Sequence, residues 1–140
     1  MDRARIVDRL LIDADRERRD VVEALLAPAA RVSPKYFYDE MGCALYGAIC
    51  RLAEYYPTRT EMALFEANRG EIAKAVGAGR QFVDLGAGDS RKGQGWIPFL
   101  APSRYVAVDI AAHEIEVSLA RIATDFPALE LVGLATDFTH

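Results

Sequence analysis

The sequence predicts an α/β fold in which N-terminal helices precede a β-α-β-α-β unit, the first half of a doubly wound parallel sheet. Three observations predict it. Short apolar strands over 81–85, 105–110 and 129–135 alternate with helical stretches. Each strand runs into glycine or aspartate: Gly86 and Gly88 after the first, Asp109 in the second, Asp137 and Phe138 after the third. Between the second and third strands, Ile115, Leu119, Ile122 and Phe126 recur at helical spacing and form a core-facing stripe.

Taken in order, residues 4–27 read as one amphipathic helix, with Ile6, Leu10, Ala14, Val21 and Leu25 near a helical period and Pro28 ending it. A loop leads to the aromatic stretch Tyr36-Phe37-Tyr38, and a second helix is expected over 40–52 despite Gly42 and Gly47. Pro57 breaks the chain. Thr58 is then expected to cap a third helix, with Glu61 completing a capping box, Met62, Phe65, Ile72 and Val76 buried, and Gly77-Ala78-Gly79 stopping it. The three later strands are expected side by side in the order third, second, first, since parallel strands need crossover helices. The chain thus divides at 1–60, a helical segment, and 61–140, the sheet. Three strands are half of such a sheet, which predicts a truncated domain. Its first strand, Gln81–Leu85, would be an open edge, apolar on both faces and prone to self-association.

Composition narrows the function. About half of the 140 residues are hydrophobic (51%), enough for a real core. Seventeen basic residues against twenty-one acidic ones give a net charge of -4, the wrong sign for a nucleic-acid binder. No apolar run is long enough for a membrane helix. The charged start Met-Asp-Arg-Ala-Arg lacks the apolar core of a signal peptide, and Cys43 and Cys50 fall in one expected helix, which together predict a reducing, cytoplasmic setting. With two histidines, one of them terminal, neither a metal site nor histidine-based catalysis is expected.

In an open parallel sheet, ligands bind beyond the carboxyl ends of the strands. Gly86 and Gly88 let the backbone turn sharply and let a ligand reach main-chain N–H groups, although two glycines after a strand also suit a plain tight turn. A dinucleotide loop would carry a third glycine where Arg91 stands. Asp109 lies at the spacing from which an acid accepts hydrogen bonds from ribose hydroxyls, the alternative being a cap for the following helix. Asp137 could accept from an adenine amino group, or be an ordinary turn residue beside a core Phe138.

Four stretches together resemble the histidine-specific methyltransferases, which trimethylate the α-amino group of L-histidine on the route to ergothioneine. They are Ser33-Pro34-Lys35-Tyr36-Phe37-Tyr38-Asp39, the run Arg51 to Glu61 with its Glu-Tyr-Tyr-Pro-Thr-Arg core, Val83 to Lys92, and Thr136-Asp137-Phe138. The resemblance implies a Rossmann-like methyltransferase sheet and S-adenosyl-L-methionine as cofactor. It implies that Gly86, Lys92, Asp109, Asp137 and Phe138, with Gly88 in the same loop, bind that cofactor, Lys92 as a point charge for the methionine carboxylate. It also implies that Tyr55, and Tyr38 in the same pocket, contact L-histidine or a related amine, so that segment 1–60 contributes to substrate binding.

The sequence departs from the family after Lys92, where Gly93-Gln94-Gly95-Trp96-Ile97-Pro98 replaces an uninterrupted apolar helix, a composition that penalises helix formation. The resemblance implies that the family's other substrate contacts come from a second half, which is expected to be missing from these 140 residues. No side chain stands out as a general base, which fits a reaction dominated by positioning an amine against an electrophilic methyl. The competing readings are half of an NAD-binding oxidoreductase and an inactive cofactor-binding fragment or interaction module.

Overall fold

The computed structural model describes residues 4–10, 13–79 and 81–137. Its elements are β1 (Ala4–Asp8), α1 (Ala14–Leu26), a 3-10 turn (Pro34–Phe37), α2 (Glu40–Ile49), α3 (Pro57–Val76), β2 (Gln81–Leu85), α4 (Arg91–Leu100), β3 (Arg104–Asp109), α5 (Ala112–Asp125) and β4 (Glu130–Ala135). The four strands form one sheet in the order β1-β4-β3-β2, and all pairs are parallel. The expected α/β class and the neighbour relations of the three later strands are therefore present.

The single helix expected over 4–27 is instead a strand and a helix. Ala4–Asp8 pairs with Leu131–Ala135. Ile6 Cγ1 comes within 3.4 Å of the position a Cβ on Gly133 would take, so the smallest residue of β4 makes room for the added strand's side chain. The helix starts only after Asp13, whose carboxylate accepts from the Asp15 and Arg16 amides at 3.1 Å. An oxygen acceptor at that position satisfies orphan N–H groups of the first turn.

The core lies between the sheet and α5. Tyr105, Ile115, Leu119, Ile122 and Leu131 are fully buried, so the apolar stripe expected in α5 is the stripe that packs, with Phe126 half-buried at its end. Strand β2 is less buried than expected. Phe82 and Asp84 face α4, whereas Val83 and Leu85 on the opposite face are 49% and 64% exposed. Both helices that follow β2 and β3 pack against the same face of the sheet, since Gly93 of α4 meets Asp84 and Tyr105 while Ile115 and Leu119 of α5 meet Gly133.

Helix α4 forms despite its two glycines and its proline. Gly93 sits where a Cβ would overlap Asp84 Oδ2 and the Tyr105 hydroxyl, so the helix can approach the sheet this closely only with glycine there. Burial of Trp96 and Ile97 supplies the packing that intrinsic propensity lacks. Phe65 of α3 meets Trp96 edge-on at 5.3 Å, and the Arg69 guanidinium covers Trp96 and Phe99 at 5.7 and 5.1 Å.

The expected capping box in α3 is absent. Pro57 already occupies the first turn, Tyr56 is the cap residue without a side-chain bond, and Glu61 turns to Lys92. The stripe expected in α3 is only partly packed: Met62 and Phe65 are half-buried, while Ile72 and Val76 are exposed because α4 lies against one side of the helix only. Helix α2 ends at Ile49 rather than 52, and Gly77 at φ 77° closes α3 as expected.

Candidate functional site

The carboxyl ends of β2, β3 and β4 lie side by side, which brings three of the residues singled out above together. Gly86 donates to the Val108 carbonyl at 2.8 Å, so the loop after β2 folds back over the end of β3. Gly88 then donates to Asp109 Oδ2 at 2.8 Å, and the Ala111 amide donates to Oδ1 at 2.9 Å. Asp109 is buried, with each carboxylate oxygen engaged by one backbone N–H from a different loop. Asp109 does not cap α5, whose cap residue is Ala111 without a side-chain bond, and its carboxylate has acceptor sites beyond the two in use.

The loop glycines have a geometric reason. Gly86 and Gly88 have φ of 70° and 50°, the left-handed region that side chains disfavour. A Cβ on Gly88 would meet nothing within 4 Å, so the space over the loop is open to an approaching group. The Thr136 amide donates to the Asp109 carbonyl at 2.9 Å, which puts the segment leading to Asp137 beside the same strand end. Asp137 is close enough to Glu17 and Lys35 to perturb both. Phe138 lies outside the described residues.

Of the two tyrosines, Tyr38 reaches this region. A cavity of about 190 Å³ is bounded on one side by Tyr38, Asp39 and Cys43 and on the other by Ile110, Ala111 and Glu114 just beyond Asp109. Its wall carries the carboxylates of Asp39, Glu40 and Glu114, which favour a cationic or hydroxyl-bearing ligand over an anion. Burial, reinforced by Glu114 and Asp109, pushes the Cys43 thiol up and holds it in the neutral form.

Tyr38 is held there from α1. Glu17 accepts from Lys35 Nζ at 2.8 Å and from the Tyr36 hydroxyl. Those bonds hold the Glu17 carboxyl below its usual range and raise Lys35 and Tyr36. Tyr55, in contrast, packs edge-on against Tyr46 with ring centroids 6.2 Å apart, and its hydrogen bond pushes the Tyr46 hydroxyl up. Arg59 of the same motif reaches back to the carbonyls of Leu52, Ala53 and Tyr55 at 2.7, 2.5 and 3.2 Å, fixing the bend before α3.

Lys92 stands in the first turn of α4, half-exposed, with its Nζ 3.3 Å from both oxygens of Glu61. Sequence reasoning missed the polar groups beneath the loop. Tyr105 donates to Asp84 Oδ2 at 2.8 Å, and burial raises the Asp84 carboxyl although that donation opposes it. Ser90 is fully buried and its Oγ lies 3.0 Å from Ser118 Oγ. The signal for the latter was a polar face, Ser118, Arg121 and Asp125, beside the apolar stripe of α5.

Comparison with known proteins shows the family. The family model described as "Histidine-specific methyltransferase, SAM-dependent" matches residues 17–140. The chain is 35% identical over 129 residues to histidine N-alpha-methyltransferase of Mycolicibacterium smegmatis, covering 89% of this chain and 40% of that protein. It is 34% identical over 125 residues to the protein of the same name from Mycobacterium tuberculosis, covering 86% and 39%. Ergothioneine biosynthesis protein 1 of Neurospora crassa is 30% identical over 89 residues, 61% of this chain and 10% of that protein. The chain therefore spans about 40% of the length of the two bacterial relatives. With the match extending from α1 to the last residue, the chain belongs to the histidine-specific, S-adenosylmethionine-dependent methyltransferase family.

Proposed function

We propose that this chain is the cofactor-binding portion of an N-methyltransferase acting on L-histidine or a related amine, with S-adenosylmethionine held over the Gly86–Gly88 loop. The observation that carries the reading is Asp109: a buried carboxylate at the end of β3, tied to the loop amide at 2.8 Å and retaining acceptor capacity for ribose hydroxyls. Acceptor oxygens beside an open glycine turn fit the adenosine portion of such a cofactor. The acidic wall beyond Asp109 disfavours the pyrophosphate of a dinucleotide, which weakens the NAD reading.

In this reading Asp109 orients the ribose, Asp137 and Phe138 meet the adenine, and Lys92 leaves Glu61 to meet the methionine carboxylate. Tyr38 lines the approach to the cleft. Tyr55 contacts the amino-acid substrate after separating from Tyr46. S-Adenosylmethionine supplies a sulfonium methyl that is already a strong electrophile. The chain's own residues therefore need to bind and align an unprotonated amine and exclude water, after which the methylated nitrogen loses its proton to solvent.

Segment 1–60 acts on the substrate side and 61–140 on the cofactor side. The chain works in the cytoplasm, where its two free thiols, Cys43 and Cys50, stay reduced. Among the described residues no helix is long and apolar enough to cross a membrane. The open β2 edge pairs with another polypeptide or a second copy of the chain.

Calorimetric titration with S-adenosylhomocysteine and with NAD tests the cofactor, and methyl transfer to histidine tests the acceptor. Binding of S-adenosylhomocysteine and not of NAD is expected. Saturable NAD binding alone would overturn the reading.

A further inference from the structure

One face of α5 grips the entry to α4. Ser118, Arg121 and Asp125 recur at a spacing that aligns side chains on one side of a helix. Ser118 donates its hydroxyl hydrogen to the Ile115 carbonyl, 3.0 Å away, so in the Ser90–Ser118 pair it is Ser90 that donates. Arg121 Nη2 donates to the Asp89 carbonyl at 2.6 Å, and its Nε donates to Gln94 Oε1 at 3.0 Å. Gln94 donates in turn to Asp125 Oδ2 at 2.6 Å.

Ser90 needs such a hold. Its backbone sits at φ 54° and ψ 11°, in the left-handed region that any residue with a Cβ disfavours. Its side chain is fully buried, so the hydroxyl must find its partner inside the protein. Ser118 gives that hydroxyl a partner at 3.0 Å, with the Tyr105 hydroxyl also within its reach. Asp89 and Ser90 directly follow the glycine turn and precede Lys92, so whatever fixes them also fixes the loop backbone and the base of the Lys92 side chain.

We propose that Ser118 and Arg121 are positioning residues that hold the glycine loop in its binding shape through Ser90 and Asp89. The inference rests on the reading that this loop receives S-adenosylmethionine, and its test also reads the unliganded chain. Amide hydrogen exchange of the full unliganded chain is measured beside calorimetric titration with S-adenosylhomocysteine. Ser118→Ala, Arg121→Ala and Ser90→Ala are expected to speed exchange across residues 86–92. Each is expected to weaken binding by about 3–10-fold, the scale of one hydrogen bond.

Ser90→Gly loses the same bond but adopts this backbone freely, so its gain in exchange and its loss of affinity should both be smaller than those of Ser90→Ala. A side chain that merely filled the core would give the reverse order, since glycine removes more buried atoms than alanine does. Faster exchange in Ser90→Gly than in Ser90→Ala, or unchanged exchange in Ser118→Ala, overturns the proposal. Should Ser118→Ala not fold, the Ser90 pair carries the decision. Failure of the unaltered chain to bind S-adenosylhomocysteine would defeat the cofactor reading, while the exchange order still decides the latch.

Discussion

Gly93 and Asp84 occupy adjoining space with no room for another carbon. A Cβ on Gly93 would overlap Asp84 Oδ2 and the Tyr105 hydroxyl, and would lie 3.1 Å from Tyr105 Cε2. The glycine that weakens α4 as an isolated helix is thus what lets α4 lie on the sheet and bring the start of the helix to the end of β2.

This contact predicts opposite effects for two neighbouring substitutions. Gly93→Ala should destabilise the chain by about 1–3 kcal/mol, as overpacking does where nothing can move aside. Gly95→Ala meets only the end of the flexible Arg69 side chain at 3.4 Å, so the gain in helix propensity, up to about 1 kcal/mol, should dominate. Urea unfolding of the two variants decides it, and a Gly93→Ala chain as stable as the parent would show that the helix can shift.

Asp84 sets a pH dependence. Burial raises its carboxyl in the folded chain above the ordinary value of 3.8, with the Tyr105 hydrogen bond pulling the other way. Folding therefore favours the protonated form: the contribution of this group is fully present below 3.8 and is lost as pH rises through the raised value. Asp84→Asn keeps an acceptor for Tyr105 and carries no charge. Thermal melts should show the variant gaining on the parent as pH rises from acid to neutral. A constant difference across that range would remove Asp84 as the cause.

Asp109→Ala should weaken S-adenosylhomocysteine binding by about 1–3 kcal/mol, since it strips acceptors from buried donors. Part of that loss is internal, because the Gly88 and Ala111 amides lose their partner as well. Calorimetry with Asp109→Ala and Asp109→Asn side by side is the measurement, with the asparagine variant expected to fall between. Undiminished affinity in both would take Asp109 out of the site.

The β2 edge predicts association. With Val83 and Leu85 exposed and, among the described residues, no strand on its outer side, light scattering should report dimers or larger species at micromolar concentration. Val83→Lys, a charge on the open edge, should shift the chain toward monomer. A parent chain that is monomeric throughout would end this prediction.

Much of the sheet region could be read from local periodicity. The stripe Ile115, Leu119, Ile122 can bury only on one face of a helix, and Gln81–Leu85 has five extended residues before two glycines that take positive φ. The position of Asp109 followed from the same logic, because a strand's length places its last residue at the sheet edge where ligands gather. These features depend on neighbours in the chain, and neighbours are what a sequence displays.

What depended on distant partners was decided by the tertiary structure. Ala4–Asp8 is too short to distinguish strand from helix by pattern, and becomes a strand because β4 offers it a free edge and Gly133 offers it space. Helix α4 exists because Gly93 fits against Asp84 and Tyr105, which lie in strands separated from each other by the helix itself. Glu61 was expected to cap its own helix and instead meets Lys92, 31 residues on. Local pattern was enough for the three later strands, their polar ends and the apolar face of α5, because hydrophobic period and turn chemistry are local. Which side chains face each other across that framework was settled only when packing brought remote segments within hydrogen-bonding distance.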